Sequence, residues 1–167
     1  MDKSLEERVE IVNSIIFNQV MMLMTKPIKY VKNKMVGDAC IGIRIGINNL
    51  SYRGIWMSTL EDIKISVDGK EISRGKMYFK LDGNTYPVSA LEAHTEIFWG
   101  IESEAEVIIY EAGGLAAGKH IVEVEIFKRP DFGHSFGEGT EGYKDAFEFN
   151  HPDDIKDSLE ITIKKER

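Results

Sequence analysis

The stretch Ala39-Cys40-Ile41-Gly42-Ile43-Arg44-Ile45-Gly46-Ile47 alternates without interruption between aliphatic residues and small or polar ones. Successive side chains of a strand point to opposite faces, so a period of two over nine residues describes a half-buried β-strand with Ile41, Ile43, Ile45 and Ile47 on one side. Glycines at 37, 42 and 46 invite comparison with a phosphate-binding loop. That loop requires a strand, then G-x-G-x-x-G, then a helix whose amides meet the phosphate, and the order and spacing here are different.

Downstream, the same period recurs between turns of the expected chemistry. Asp68-Gly69 separates Ile63, Ile65 and Val67 from Ile72, and Asp82-Gly83-Asn84 separates Met77, Phe79 and Leu81 from Tyr86. Tight hairpins need positive φ, which Gly and Asn adopt at little cost. Further strands are predicted near 96–100, 104–111, 120–129, 145–150 and 159–164, with one helical turn over 90–95. About nine short strands separated by turns argue for an all-β fold, an antiparallel β-sandwich or jelly-roll-like domain.

Upstream, the period changes. Ser4-Leu5-Glu6-Glu7 fits a capping box, Pro27 closes the segment, and Leu5, Val9, Val12, Ile16 and Leu23 follow three- and four-residue steps. One amphipathic N-terminal α-helix from Leu5 to Met24 is predicted, its apolar face packing on its own domain or on another chain, self-association included. The uncharged run from Ile11 to Thr25 has 15 residues and contains Asn13, Ser14, Asn18 and Gln19, too short and polar for the roughly 20 apolar residues of a membrane span. Lys26, Lys29, Lys32 and Lys34 follow and read as a solvated basic linker. The expected organisation is therefore helix and linker over 1–35 and a β-sandwich over 36–167.

The chain has 167 residues, 43% hydrophobic and 29% charged, enough for one folded domain of ordinary size. Residues 1–35 carry six bases and four acids and the remainder 15 and 24, giving a formal charge of −7. An acidic body is unsuited to neutralising phosphates, so nucleic acid is not an expected partner. Cys40 is the only cysteine, which excludes an internal disulfide and a multi-cysteine metal cage. With no positively charged leader, the expected location is cytoplasmic.

No catalytic constellation emerges. His94, His120, His134 and His151 stand 26, 14 and 17 residues apart, with no His-x-His pair, and no serine lies in a G-x-S-x-G elbow. The glycine-rich loop from Pro130 to Lys144 carries His134, Glu138 and Glu141 and could close over a ligand. Tyr52, Trp56, Tyr78, Tyr86, Phe98 and Trp99 are available for stacking on sugars or for an interface, if they do not simply fill the core. A binding or accessory role is favoured over an independent catalyst. The alternatives are a free-standing carbohydrate-binding module, and a small metal-dependent enzyme in which His134 or His120 meets carboxylates.

Tyr52-Arg53-Gly54-Ile55-Trp56-Met57-Ser58, Val67-Asp68-Gly69-Lys70-Glu71-Ile72, Phe98-Trp99-Gly100 and Gly113-Gly114-Leu115-Ala116-Ala117-Gly118-Lys119-His120 follow one another in an order that resembles the β subunit of bacterial C-glycoside deglycosidases. The agreement runs over roughly 36–129, and the Y-R-G-I-x-x-S and G-G-L-x-x-G-x-H elements weigh most. The resemblance implies a small β-sandwich subunit, without a cofactor of its own, that binds a larger α subunit. That partner resembles a sugar-isomerase-like barrel and carries a divalent metal, usually manganese. The resemblance further implies a complex that is a carbohydrate lyase, cleaving 3-oxo-C-glycosides by elimination, with the base and metal ligands in the partner. Tyr52, Arg53 and Trp56 are candidates for a structural or interface cluster, and His134 and Glu138, on the glycine-rich loop, for residues near a substrate. An arginine there could pair bidentately with a carboxylate and stack on rings. The leading helix and the region after Arg129 depart from the family pattern.

Overall fold

The computed structural model describes Arg8 and residues 26–51, 54–128 and 154–165. Apart from Arg8, the helix expected from Leu5 to Met24 lies outside them, as do the loop from Pro130 to Lys144 and the strand expected over 145–150. Eleven strands run through the described residues: β1 (Ile28–Val36), β2 (Ala39–Ile47), β3 (Ile55–Trp56), β4 (Leu60–Val67), β5 (Lys70–Glu71), β6 (Met77–Leu81), β7 (Asn84–Pro87), β8 (Phe98–Trp99), β9 (Ala105–Tyr110), β10 (Gly118–Lys128) and β11 (Asp154–Ile163). Short 3-10 segments occupy Met57–Thr59, Arg74–Lys76 and Val88–Ala93, the last near the helical turn expected over 90–95. No helix among the described residues is long and apolar enough to cross a membrane.

The described strands form a five-stranded sheet in the order β1-β2-β9-β6-β7, a four-stranded sheet in the order β11-β10-β4-β5, and a two-stranded ribbon of β3 and β8. Every pairing is antiparallel. The fold is therefore the expected all-β class. Alternation builds its interior. Ile43, Ile45 and Ile47 of β2, Val107 and Ile109 of β9, and Met77, Phe79 and Leu81 of β6 meet Ile63 and Ile65 of β4 and Val122, Val124 and Ile126 of β10 in a single hydrophobic cluster. Burial of such side chains is the main favourable contribution to folding. Both Asp-Gly hairpins form as expected, with Asp68 at φ 50° and Gly69 at φ 80°, and Asp82 at φ 48° and Gly83 at φ 87°.

The basic segment after Pro27 is not a linker. Residues Ile28–Val36 form β1, paired with β2 from Ile28 opposite Ile47 to Val36 opposite Ala39. The pattern is that of an edge strand. Val31 enters the core while Lys29 and Lys32 face solvent, and lysines on an outer strand discourage edge-to-edge pairing with another chain. Tyr30 lies across Gly46 so closely that a Cβ there would come within 2.3 Å of the ring. Asn33 holds the hairpin from the other side: its Nδ2 donates to the Leu115 carbonyl at 3.0 Å, and its Oδ1 accepts from the Leu115 amide at 2.8 Å. The domain boundary expected at 35/36 therefore falls inside a strand.

Ile45 is fully buried, and Ile45→Ala is expected to cost about 2–5 kcal/mol of unfolding free energy, read as a lower urea midpoint at unchanged slope. Ile121→Ala, at a half-exposed position, is expected to change it by less than about 0.5 kcal/mol.

Candidate functional site

The two-stranded ribbon separates four large side chains onto two faces. Ile55 pairs with Trp99 and Trp56 with Phe98, and strand alternation sends one pair inward and the other outward. Ile55 and Trp99 are buried, and Trp99 meets Phe79 edge-to-face with ring centroids 5.3 Å apart. Trp56 and Phe98 remain 47% and 45% exposed, packed edge-to-face on each other at 5.0 Å, and neighbouring Ile101 is 62% exposed.

The ribbon is held from several directions. Asn49 Nδ2 donates to the carbonyls of Trp99 and Gly100 at 3.0 and 3.3 Å. The Met57 amide donates to the Ile97 carbonyl at 2.9 Å, and the Trp99 indole N–H to the Ser103 carbonyl at 3.4 Å. Gly54, at φ 76°, lies under Phe98, and a Cβ there would stand 2.7 Å from the ring and from the Trp99 carbonyl oxygen. The glycine of the Y-R-G-I element thus lets Phe98 lie close to the backbone. An apolar surface whose backbone is already fixed loses little conformational entropy on meeting a partner.

Two polar clusters lie elsewhere. Arg44 of β2 grips Glu106 of β9 through two bonds of 2.8 Å. The arginine hydrogen bond holds the Glu106 carboxyl down to about 2 despite partial burial, with a smaller contribution from Tyr30. Glu106 and burial push the Tyr30 phenol up, burial most. His120, from the G-G-L-x-x-G-x-H element, has an acceptor at each ring nitrogen: Asp68 Oδ2 at 2.7 Å from Nδ1 and the Ala116 carbonyl at 2.7 Å from Nε2. A neutral imidazole carries a single N–H, so only the imidazolium donates to both. The Asp68 hydrogen bond, then that to Ala116, raises the His120 pKa, while His120 and the Ile121 amide lower that of Asp68. This histidine clips the β4–β5 turn to the start of β10.

Of the residues singled out in the sequence, Trp56 stands on the exposed ribbon, whereas Tyr52, Arg53, His134 and Glu138 lie outside the described residues. Phe98 joins Trp56, Trp99 fills the core, and Tyr78 packs on Tyr110 rather than on the ribbon. Ile101 escaped notice because a lone isoleucine after Gly100 carries no periodic signal. Cys40 is half-buried, its Sγ 3.5 Å from the Gly42 carbonyl oxygen. Among the described residues no three His, Cys, Asp or Glu side chains are grouped to hold a metal ion. An open cavity of about 520 Å³ on the four-stranded sheet is lined by Lys64, Glu123, Glu125, Lys156 and neighbouring serines. Its mixed charges fit no single ionic ligand.

With this geometry in place, two comparisons bear on function. Residues 24–132 match the family model described as C-glycoside deglycosidase beta subunit, a span from before β1 to beyond the end of β10. A protein of Arthrobacter globiformis, described as C-glycoside deglycosidase beta subunit, is 31% identical over 68 residues, which cover 41% of this chain and 52% of that relative. The match thus spans about half the length of the curated relative.

The two polar clusters predict pH dependences of opposite sign. His120 has a raised pKa in the fold, so its contribution is complete below its ordinary 6.5 and disappears as pH rises through the folded value. Glu106 is depressed, so its contribution is complete above its ordinary 4.5 and is lost as pH falls through about 2. In thermal melts, His120→Gln is therefore expected to be most destabilising in mild acid and near neutral in effect at alkaline pH. Glu106→Gln is expected to be destabilising at neutral pH and to match the parent in strong acid. A penalty independent of pH for either variant contradicts these roles.

Proposed function

We propose that this chain, which belongs to the C-glycoside deglycosidase beta subunit family, is the non-catalytic subunit of a carbohydrate lyase that cleaves 3-oxo-C-glycosides. The family match over 24–132 carries this reading, because it takes in β1 to β10, the aromatic ribbon and the His120 clip. The five- and four-stranded sheets, sharing one hydrophobic cluster, are read as the two layers of a sandwich. The partner is a larger α subunit with a sugar-isomerase-like barrel, and the complex works in the cytoplasm.

The proposed reaction is an elimination whose chemistry belongs to the partner. A ketone at C3 acidifies the proton on C2, and a base removes it. The electron pair becomes the C1–C2 double bond, the bond from C1 to the aglycone breaks, and the aglycone carbon takes up a proton. A divalent metal, manganese in this reading, would polarise the ketone oxygen. This chain's part is to bind the barrel and hold it in a competent form. His134 and Glu138 are proposed to act on substrate in the complex, and Tyr52 and Arg53 to take part in binding the α subunit.

The test is reconstitution. The purified chain, the α subunit and their mixture are each given a 3-oxo-C-glycoside, and released aglycone is quantified by chromatography. The chain alone is expected to release none, the mixture to be faster than the sum of its parts, and chelation of manganese to stop it. Turnover by this chain alone, or a mixture no faster than the α subunit, contradicts the proposal.

A further inference from the structure

We infer that the outward face of the β3–β8 ribbon, centred on Trp56 and Phe98 with Ile101 beside them, is the surface that docks on the α subunit, and that the docking face of that subunit is an apolar pocket ringed by lysine and arginine. The inference rests on the accessory reading above and names the contact that reading requires.

Three observations converge on it. The first is placement: of the large hydrophobic side chains left exposed, Trp56 and Phe98 pack edge-to-face on each other and Ile101 follows three residues after Phe98. Tryptophan and phenylalanine at the centre of a contact, fully desolvated on binding, supply much of the energy of protein interfaces. The second is rigidity. Asn49, Gly54 and the inward Trp99 fix the backbone beneath the pair before any partner arrives, which lowers the ordering cost of association.

The third observation sets the partner's chemistry. From Glu96 to Glu104 the chain carries three glutamates and neither lysine nor arginine. Glu96, Glu102 and Glu104 are exposed on the segment that delivers Phe98 and Ile101. The Glu96 side chain is 70% exposed beside His94 at 3.5 Å. An apolar centre with an acidic rim is electrostatically complementary to a basic rim around an apolar recess. The acidic rim also disfavours a second copy of this chain on the same face, since an isologous contact would bring like charges together. One flat sugar cannot stack on both rings at once, because the Trp56 and Phe98 ring planes are inclined by 62°.

The experiment measures affinity and association rate between the full-length chain and the α subunit by biolayer interferometry at low and high salt. Four variants are compared: Trp56→Ala, Phe98→Ala, the rim reversal Glu96→Lys with Glu102→Lys, and Ile121→Ala as an exposed apolar control outside the ribbon. Trp56→Ala and Phe98→Ala are each expected to raise Kd by about 30-fold, as loss of a hot-spot side chain does. The rim reversal is expected to slow association about tenfold at low salt and to flatten its salt dependence. Ile121→Ala is expected to bind like the parent. Because the rim glutamates are exposed, their reversal tests the surface even if an aromatic truncation disturbs folding. Parental binding by all the ribbon and rim variants would overturn the inference and leave the accessory reading standing. So would light scattering in which Trp56→Ala dissolves a homodimer without altering α-subunit binding. Failure of the parent chain to bind the α subunit at all would overturn both.

Discussion

Trp99 can enter the core only if its strand neighbour Phe98 points the other way, and this alternation at a two-residue strand governs what the molecule offers its surroundings. Burial of the Trp99 ring against Phe79 ties the ribbon to the hydrophobic cluster shared by the two larger sheets. The same geometry acts on the opposite strand, where Ile55 is buried and Trp56 is turned outward. An exposed aromatic pair is therefore a direct consequence of how the interior is filled. It leaves the protein an exposed surface that is apolar and rigid at once.

The remaining contacts serve to keep that arrangement in register. Asn33 joins the β1–β2 hairpin to Leu115, and the Gly113 amide donates to the Cys40 carbonyl, so the G-G-L turn is seated on the hairpin rather than free. At Gly114, at φ 55°, a side chain would collide with Asn33 Oδ1 and Cys40 Sγ. A few residues further on, His120 fastens the same region to the turn at Asp68. The elements by which the chain resembles its family thus have structural reasons of their own: a glycine under Phe98, a glycine against Asn33, and a histidine with two acceptors.

Much of this was legible before any coordinates, and the limits have physical causes. The alternation over 39–47 located β2, and the Asp-Gly pairs located both hairpins, because period and turn chemistry are local properties. β1 was hidden by its lysines, which read as solvation although they mark an outer strand. The local signal that could have revealed it is Gly37-Asp38, a hairpin turn between Val36 and Ala39. Which of Phe98 and Trp99 faces inward depends on what lies across the core, so adjacency alone could not decide it. Arg44 and Glu106, or His120 and Asp68, are separated by 62 and 52 residues. Their meeting is set by strand register, which no short window of sequence contains.

In the proposed complex, this chain contributes a contact surface, led by the outward ring of Trp56, to a lyase whose chemistry resides in another subunit. Oxidative footprinting read by mass spectrometry reports on that ring directly, because the chain has two tryptophans, one half-exposed and one buried. Trp56 should be modified readily in the free chain and become protected at saturating α subunit, while Trp99 stays unreactive in both states. A Trp56 that remains as reactive in the complex as in the free protein would contradict the account.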